Sequence, residues 1–418
     1  MAKRLKPARD KGVFAALDIG GSKVACVIAE FSPQLRNGDE LEVIGVGQQG
    51  LIGRNIEGDT EAAIRASVEL AEKMAGERIK SAFVLAGGRS IGCRLLGVEL
   101  DLVGGCVTSE DVDDVLTEAG KQAAPDGSKP LHTLPVKYKI DGEAIYGEPV
   151  GFFGDVLSAE VLGVSVRNSF YANAEALLER CDLGLDGVFA SPVATGQSVL
   201  IDDEKELGVI LIDIGARCSD FAIFERGSLI SCGGIGLGGG HVTRDIAQIF
   251  GAPIASAERI KSLHGSAISG QGDENGFIDF PQLGEEQDVA RVPRIELTEV
   301  IAPRLEEIFE LVMAATDYRT SIRRAVVTGG GSLLVGSREI AEKVIGVKAR
   351  IGRPTSLTGA PDVVTSPQFA SAMGAIRMAA NATIESRPAG RRLFSAGQSD
   401  TQNRTLLSAA GSWLKQNF

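Results

Sequence analysis

Val13-Phe-Ala-Ala-Leu-Asp18-Ile-Gly20-Gly-Ser-Lys23-Val-Ala-Cys-Val-Ile28 is echoed, 195 residues later, by Val209-Ile-Leu-Ile-Asp213-Ile-Gly215-Ala-Arg217-Cys-Ser-Asp220-Phe-Ala-Ile223. Each stretch is an apolar run that ends in Asp-Ile-Gly, a short polar segment, and a second alternating apolar run. That pattern predicts a β-hairpin closed by a glycine-bearing turn. One such hairpin fits many folds. Two at half-chain spacing predict two related α/β lobes.

The bulk properties agree with two lobes. A chain of 418 residues exceeds one small core, and 44% hydrophobic with 23% charged residues is ordinary globular composition. The 52 glycines and 5% aromatics favour tight turns and βα junctions. No stretch approaches the roughly 18 apolar residues of a membrane-spanning helix. The basic start and the apolar run 13–17 superficially resemble a leader, but the run stops at Asp18 and reads as a strand. The expected location is therefore cytosolic. Six cysteines without a CxxC pair and three dispersed histidines predict buried thiols in a reducing compartment and no metal site built from them.

Net charge is -12, unevenly spread. Residues 1–12 and residues 386–418 each carry +4, so the body between them carries -20. An acidic body argues against nucleic acid as a partner, and basic ends suit an anionic membrane surface.

After the first hairpin the periodicities predict a strand at 41–48, a helix at 60–75 capped by Asp59 or Thr60, and a strand at 81–86. Residues 93–167 read as a self-contained α+β insert, with strands at 94–102, 132–140 and 157–166 and a helix at 110–123 capped by Ser109. A helix at 169–181 follows, then a strand and the start of a helix within 188–200. The second lobe adds helices at 241–250 and 256–263, a long helix at 295–319, a strand at 324–328 and a final helix at 367–381. Residues 386–404 have little to bury and read as a flexible linker. Residues 405–418 regain an apolar stripe through Leu406, Leu407, Ala410, Trp413, Leu414 and Phe418, the pattern of an interfacial amphipathic helix.

Three glycine-rich turns follow apolar strands: 18–23, 213–220 and 328–332. Glycine lets backbone approach a phosphate, and turn N–H groups converge on its oxygens. Gly20, Gly21, Ser22 and Lys23 serve the first turn; Gly215, Ala216, Arg217 and Cys218 serve the second. Gly329, Gly330, Gly331 and Ser332 would let a flat nucleoside pack on backbone. Asp18 and Asp213 are placed to orient hydrated Mg2+ or an attacking water. No GxxxxGK[ST] loop, GxSxG elbow or HExxH pair is present.

At residues 13–385 the chain resembles the actin-like ATPase superfamily, and within it the FtsA family of bacterial cell-division proteins. The resemblance is carried by Leu131-His-Thr-Leu-Pro-Val-Lys-Tyr-Lys-Ile-Asp141, by Val242-Thr-Arg-Asp-Ile-Ala and by Ala257-Glu-Arg-Ile-Lys-Ser-Leu-His-Gly265. Leu297-Thr-Glu-Val-Ile-Ala-Pro-Arg304, Val326-Val-Thr-Gly-Gly-Gly-Ser and Gly411-Ser-Trp-Leu-Lys extend it. It implies an α/β, actin-like (ribonuclease H-like) two-lobed fold with an α+β insert in the first lobe and a C-terminal amphipathic helix. The implied units are a basic arm at 1–12, a first-lobe core at 13–92 and 168–205, and the insert at 93–167. A second-lobe core follows at 206–240 and 320–385, an outer subdomain at 241–319, the linker at 386–404 and the membrane-targeting helix at 405–418.

By the same resemblance ATP and Mg2+ are held between the lobes, with Glu258 and Lys261 on ribose and adenine. Arg291, Arg294 and Arg304 lie where the family binds the C-terminal tail of the tubulin-like protein FtsZ. The implied protein polymerises, tethers FtsZ filaments to the inner face of the cytoplasmic membrane, and recruits later division proteins. One departure bears on chemistry. The superfamily's second turn usually reads Asp-Ile-Gly-Gly-Gly-Thr, whereas here Ala216, Arg217 and Cys218 occupy its last three positions. Arg217 either pairs with a phosphate oxygen or takes its place, and the expected ATPase activity is weak or absent. The competing readings on the same fold are a small-molecule kinase, for which no carboxylate base is evident, and a pilus-type membrane-assembly ATPase.

Overall fold

The computed structural model describes residues 6–7, 12–31, 41–51, 56–145, 147–270, 276–283 and 285–385. Most of the basic arm, and all the residues expected to form the linker and the membrane-targeting helix, Leu406, Leu407, Ala410, Trp413, Leu414 and Phe418 among them, lie outside them.

Two five-stranded sheets repeat one topology. In the first, Val13–Ile19, Lys23–Phe31 and Leu41–Gly50 form an antiparallel meander, and Ser81–Ala86 and Gly184–Ala190 add in parallel on the other side of Val13–Ile19. In the second, Val209–Ile214, Ser219–Glu225 and Ser228–Ile235 form the meander, and Arg324–Thr328 and Lys348–Ile351 add in parallel. Strand alternation explains how each hairpin serves two cores. Ala15 and Leu17 turn outward to the core that includes Ile64 and Leu178, while Phe14 and Ala16 turn inward. In the second lobe Ile210, Ile212 and Ile214 turn outward, and Val209 and Leu211 join Phe14 and Ala16 in one continuous inner core.

Helices Ser191–Val199 and Ala370–Glu385 contribute much of that inner core. They cross so closely that a Cβ at Gly374 would lie 1.7 Å from the Ala194 carbonyl oxygen. Only glycine allows that approach.

Between Ser81–Ala86 and helix Asn168–Arg180 the chain builds a separate antiparallel sheet, ordered Ile91–Asp101, Val156–Arg167, Ser128–Ile140, Glu143–Ile145. Helix Ser109–Gln122 covers it through Val115 and Ala119, against Leu157, Ala159 and Val161.

Several element ends differ from expectation. Helix Ile56–Ala75 begins a turn early, so Asp59 and Thr60 lie inside it. The insert helix is capped by Thr108 rather than Ser109. Thr108 Oγ1 accepts from Asp111 N at 3.2 Å, and Asp111 Oδ2 accepts from Thr108 N at 2.7 Å. Helix Arg294–Ala314 stops before Arg319, where Thr316 Oγ1 accepts from Tyr318 N at 3.2 Å and offers the backbone a turn instead. The last helix starts at Ala370, after a 3-10 turn at Pro367–Phe369. Gly330–Leu333 is likewise a 3-10 turn, separate from helix Ser337–Ile345.

Candidate functional site

The two hairpin turns match in geometry as well as in sequence. Ile19 pairs with Val24 and Ile214 with Ser219, leaving four turn residues in each. Gly20 N donates to Lys23 O at 2.9 Å, and Gly215 N donates to Cys218 O at 3.0 Å. The fold brings the turns tip to tip: a Cβ at Gly21 would fall 2.3 Å from Arg217 Cγ.

The third turn packs against the second. Gly329 has φ +82, and a Cβ there would meet Asp213 Oδ1 at 2.2 Å. Gly331 packs on Ile214, whereas Gly330 faces open space. Ser332 Oγ donates to Gly329 O at 2.8 Å, so its hydroxyl shapes the turn. Helix Gly239–Ile249 starts beside both turns, with Gly239 N donating to Gly215 O and Gly240 N to Ala216 O, each at 2.8 Å. Lys261 Nζ then donates to Gly239 O at 3.0 Å, Thr243 Oγ1 at 2.8 Å and Glu258 Oε2 at 2.7 Å. Contacts thus link Glu258 and Lys261 through Gly239 to the turn of Gly215, whose Arg217 meets Gly21.

Each interlobe helix gives a hydroxyl to the opposite lobe's aspartate. Ser371 Oγ donates to Asp18 Oδ2 at 2.8 Å, and Thr195 Oγ1 donates to Asp213 Oδ2 at 3.1 Å. A third acid, Asp220, is buried opposite Asp213 and accepts from Gly88 N at 2.5 Å. Lys23 Nζ donates to Gln368 Oε1 at 3.0 Å and lies 4.6 Å from the Phe369 ring centre.

This is an acidic site short of cations. Burial raises the Asp18 pKa. Burial, with the charges of Asp220 and Asp18, lifts Asp213 to about 7. Burial lifts Asp220 to about 7 against the Gly88 N–H and the Ser191 hydroxyl. Lys23 is lowered to about 8 by burial, although Asp18 and Asp213 oppose the shift. Burial also pushes the Cys218 thiol well up, which removes it as a nucleophile.

The family profile described as "Cell division protein FtsA" matches residues 210–374, and that described as "SHS2 domain inserted in FTSA" matches residues 88–165. The cell division protein FtsA of Rhizobium meliloti (strain 1021) is 33% identical over 434 aligned residues, covering 99% of this chain and 97% of the relative. The chain belongs to the FtsA family. The FtsA of Escherichia coli (strain K12) is 30% identical over 98% of this chain and 97% of that relative. Among solved structures, the PilM-PilN type IV pilus biogenesis complex aligns with TM-score 0.62 over 89% of this chain and 99% of the other, at 14% identity. That likeness establishes the actin-like fold alone. Full-length identity to FtsA proteins sets aside the kinase and pilus readings.

In this FtsA-family chain the three arginines expected to meet a partner each have contacts of their own. Arg304 donates to Asp245 through Nε at 2.6 Å and Nη2 at 3.1 Å, pairs also with Glu307, and lines a groove of about 750 Å³ with Ile249, Phe250, Val300 and Pro303. Arg294 Nη2 lies 3.4 Å from His264 Nδ1, and the Arg291 guanidinium lies 4.7 Å from the Phe277 ring centre. Sequence reasoning missed Asp220, Thr195, Ser371 and Gln368. An acid within the apolar run 219–225 was a readable signal for Asp220; the others depend on tertiary contact.

Proposed function

We propose that this chain binds ATP with Mg2+ between its lobes, polymerises, and tethers FtsZ filaments to the inner face of the cytoplasmic membrane. The observation that carries the nucleotide reading is the meeting of two matched turns and the Gly329–331 turn around Asp18 and Asp213. The residues present fit the group. Open space over Gly330 suits a nucleoside, and the Glu258–Lys261 pair adjoins the same turn through Gly239, which lies between Lys261 and Gly331. Among the described residues no three His, Cys, Asp or Glu side chains converge on one point. Mg2+ would then be held through phosphate oxygens and water, with Asp18 and Asp213 accepting from that water. Bound, the ion neutralises phosphate charge.

The FtsZ tail is assigned to the outer part of the second lobe, with Arg291, Arg294 and Arg304 on its path. An extended peptide advances about 3.3 Å per residue, so one tail can reach both helix arginines. Residues 405–418 supply the membrane anchor, and the other division proteins join the assembled polymer.

Equilibrium binding of a fluorescent ATP analogue tests the nucleotide reading. Gly330→Glu fills open space without touching the fold, so it should weaken binding at least about tenfold, as one lost contact set of ~1.4 kcal/mol does. Phosphate release by the wild type should stay well below ~10 per second, the enzyme median. A folded wild type that binds no ATP overturns the reading.

A further inference from the structure

We infer that Arg217 is the residue that distinguishes a nucleoside triphosphate from a diphosphate, by pairing its guanidinium with the terminal phosphate across the two hairpin turns. The inference rests on the nucleotide reading above and deepens it.

Three observations place Arg217 there. First, its stem leaves the second lobe's turn and lies over Gly21 of the first lobe's turn, with Cγ, Cδ and Cβ all within 3.0 Å of a Cβ built at Gly21. It is therefore an interlobe side chain at the point where the turns meet. Second, contacts order the site: Lys261, bonded to Glu258, adjoins Gly239, Gly239 adjoins Gly331 and Gly215, and the turn of Gly215 carries Arg217 against Gly21. A phosphate chain entering from the nucleoside end reaches Arg217 last. Third, Arg217 is exposed, and its guanidinium has no hydrogen bond or ion pair among the described residues. Lys23, the cation of the first turn, is already bonded to Gln368 and lowered to about 8 by burial. A guanidinium keeps its charge at any physiological pH and offers a fork that matches two phosphate oxygens.

The diphosphate lacks the oxygens that Arg217 would reach, so only the triphosphate joins the two turns through it. The glycine this position usually holds cannot do this. Lobe closure then carries a signal of the nucleotide state in a chain whose turn is poorly suited to rapid hydrolysis.

Arg217→Gln removes the charge and keeps a stem; Arg217→Lys keeps the charge without the fork. Affinities of wild type and both variants for ATP·Mg2+ and ADP·Mg2+ are measured by competition against a fluorescent ADP analogue. Thermal unfolding confirms that the variants stay folded. Arg217→Gln should lose roughly 10- to 100-fold in ATP affinity, the range for a hydrogen-bonded charge. ADP affinity should change by less than about fivefold, the scale of an exposed charge acting at a distance. Arg217→Lys should fall between. Equal losses for ATP and ADP, or ATP binding that is unchanged or stronger in Arg217→Gln, overturn the inference. The latter would show that the side chain occupies the phosphate position. A wild type that binds neither nucleotide refutes the nucleotide reading itself, a result distinct from the others.

Discussion

Asp213 and Asp220 are register partners across the second hairpin, so the site holds two carboxylates on neighbouring strands with their charges only partly compensated. Both have folded pKa values of about 7 against 3.8 for the ordinary carboxyl. Between those values the folded state binds more protons than the unfolded state. Their contribution is thus fully present below pH 4 and is lost as pH rises through 7. Asp213→Asn mimics the protonated form. It should stabilise the nucleotide-free protein at pH 7.5 by on the order of 2–4 kcal/mol, with the gain shrinking steadily as pH falls towards 4. Urea unfolding at several pH values reads this directly. A variant no more stable than wild type, or a gain independent of pH, contradicts the burial argument. The same substitution should weaken ATP·Mg2+ binding, because an amide cannot compensate the cation.

At the scale of elements, the hairpins were legible because their signals are local: Asp-Ile-Gly at a strand end, and alternation on both sides of a four-residue turn. Strand Arg324–Thr328 was equally plain, since a short apolar run met three glycines. The strands Ser228–Ile235 and Lys348–Ile351 are short or glycine-interrupted and take their form from pairing, which no local pattern records. Thr108 hid behind an adjacent Ser109, as the cap is decided by where Asp111 closes the box. The residues of 254–264 read as an ordinary helix, and only tertiary placement sets Glu258 and Lys261 beside Gly239. Helix Arg294–Ala314 shows the limit most clearly. Arg294 and Arg304 share an element, yet ten residues separate them by about 15 Å along its axis. Asp245 and Glu307 already neutralise Arg304, whose pKa is raised by those contacts, Asp245 first. Reversing Arg291 and Arg294 to Glu should therefore weaken binding of an acidic, apolar FtsZ tail peptide roughly tenfold or more, without disturbing the Arg304 pair. Fluorescence anisotropy checks this, and unchanged affinity moves the docking site elsewhere on the second lobe.

At the scale of the molecule, two copies of one sheet topology clamp a pair of helices, and each helix bonds the aspartate of the opposite lobe. A ligand between the turns therefore acts on both lobes and on the helices that join them. The proposed membrane anchor is a separate matter of magnitude. Five large apolar side chains in residues 405–418 gain roughly 7–15 kcal/mol gross if fully buried. Ordering fourteen residues costs about 1 kcal/mol or more each. On the proposed reading one such helix would be a marginal anchor, and polymerisation would convert many marginal anchors into firm attachment through effective concentration. Co-sedimentation of FtsZ with anionic liposomes, with and without this chain and ATP·Mg2+, tests the tether most directly. FtsZ should pellet with the vesicles when the full chain and ATP are both present, and stay in solution when residues 405–418 are deleted. FtsZ that remains soluble beside the full chain and ATP, or that pellets equally well with the truncated chain, contradicts the tether.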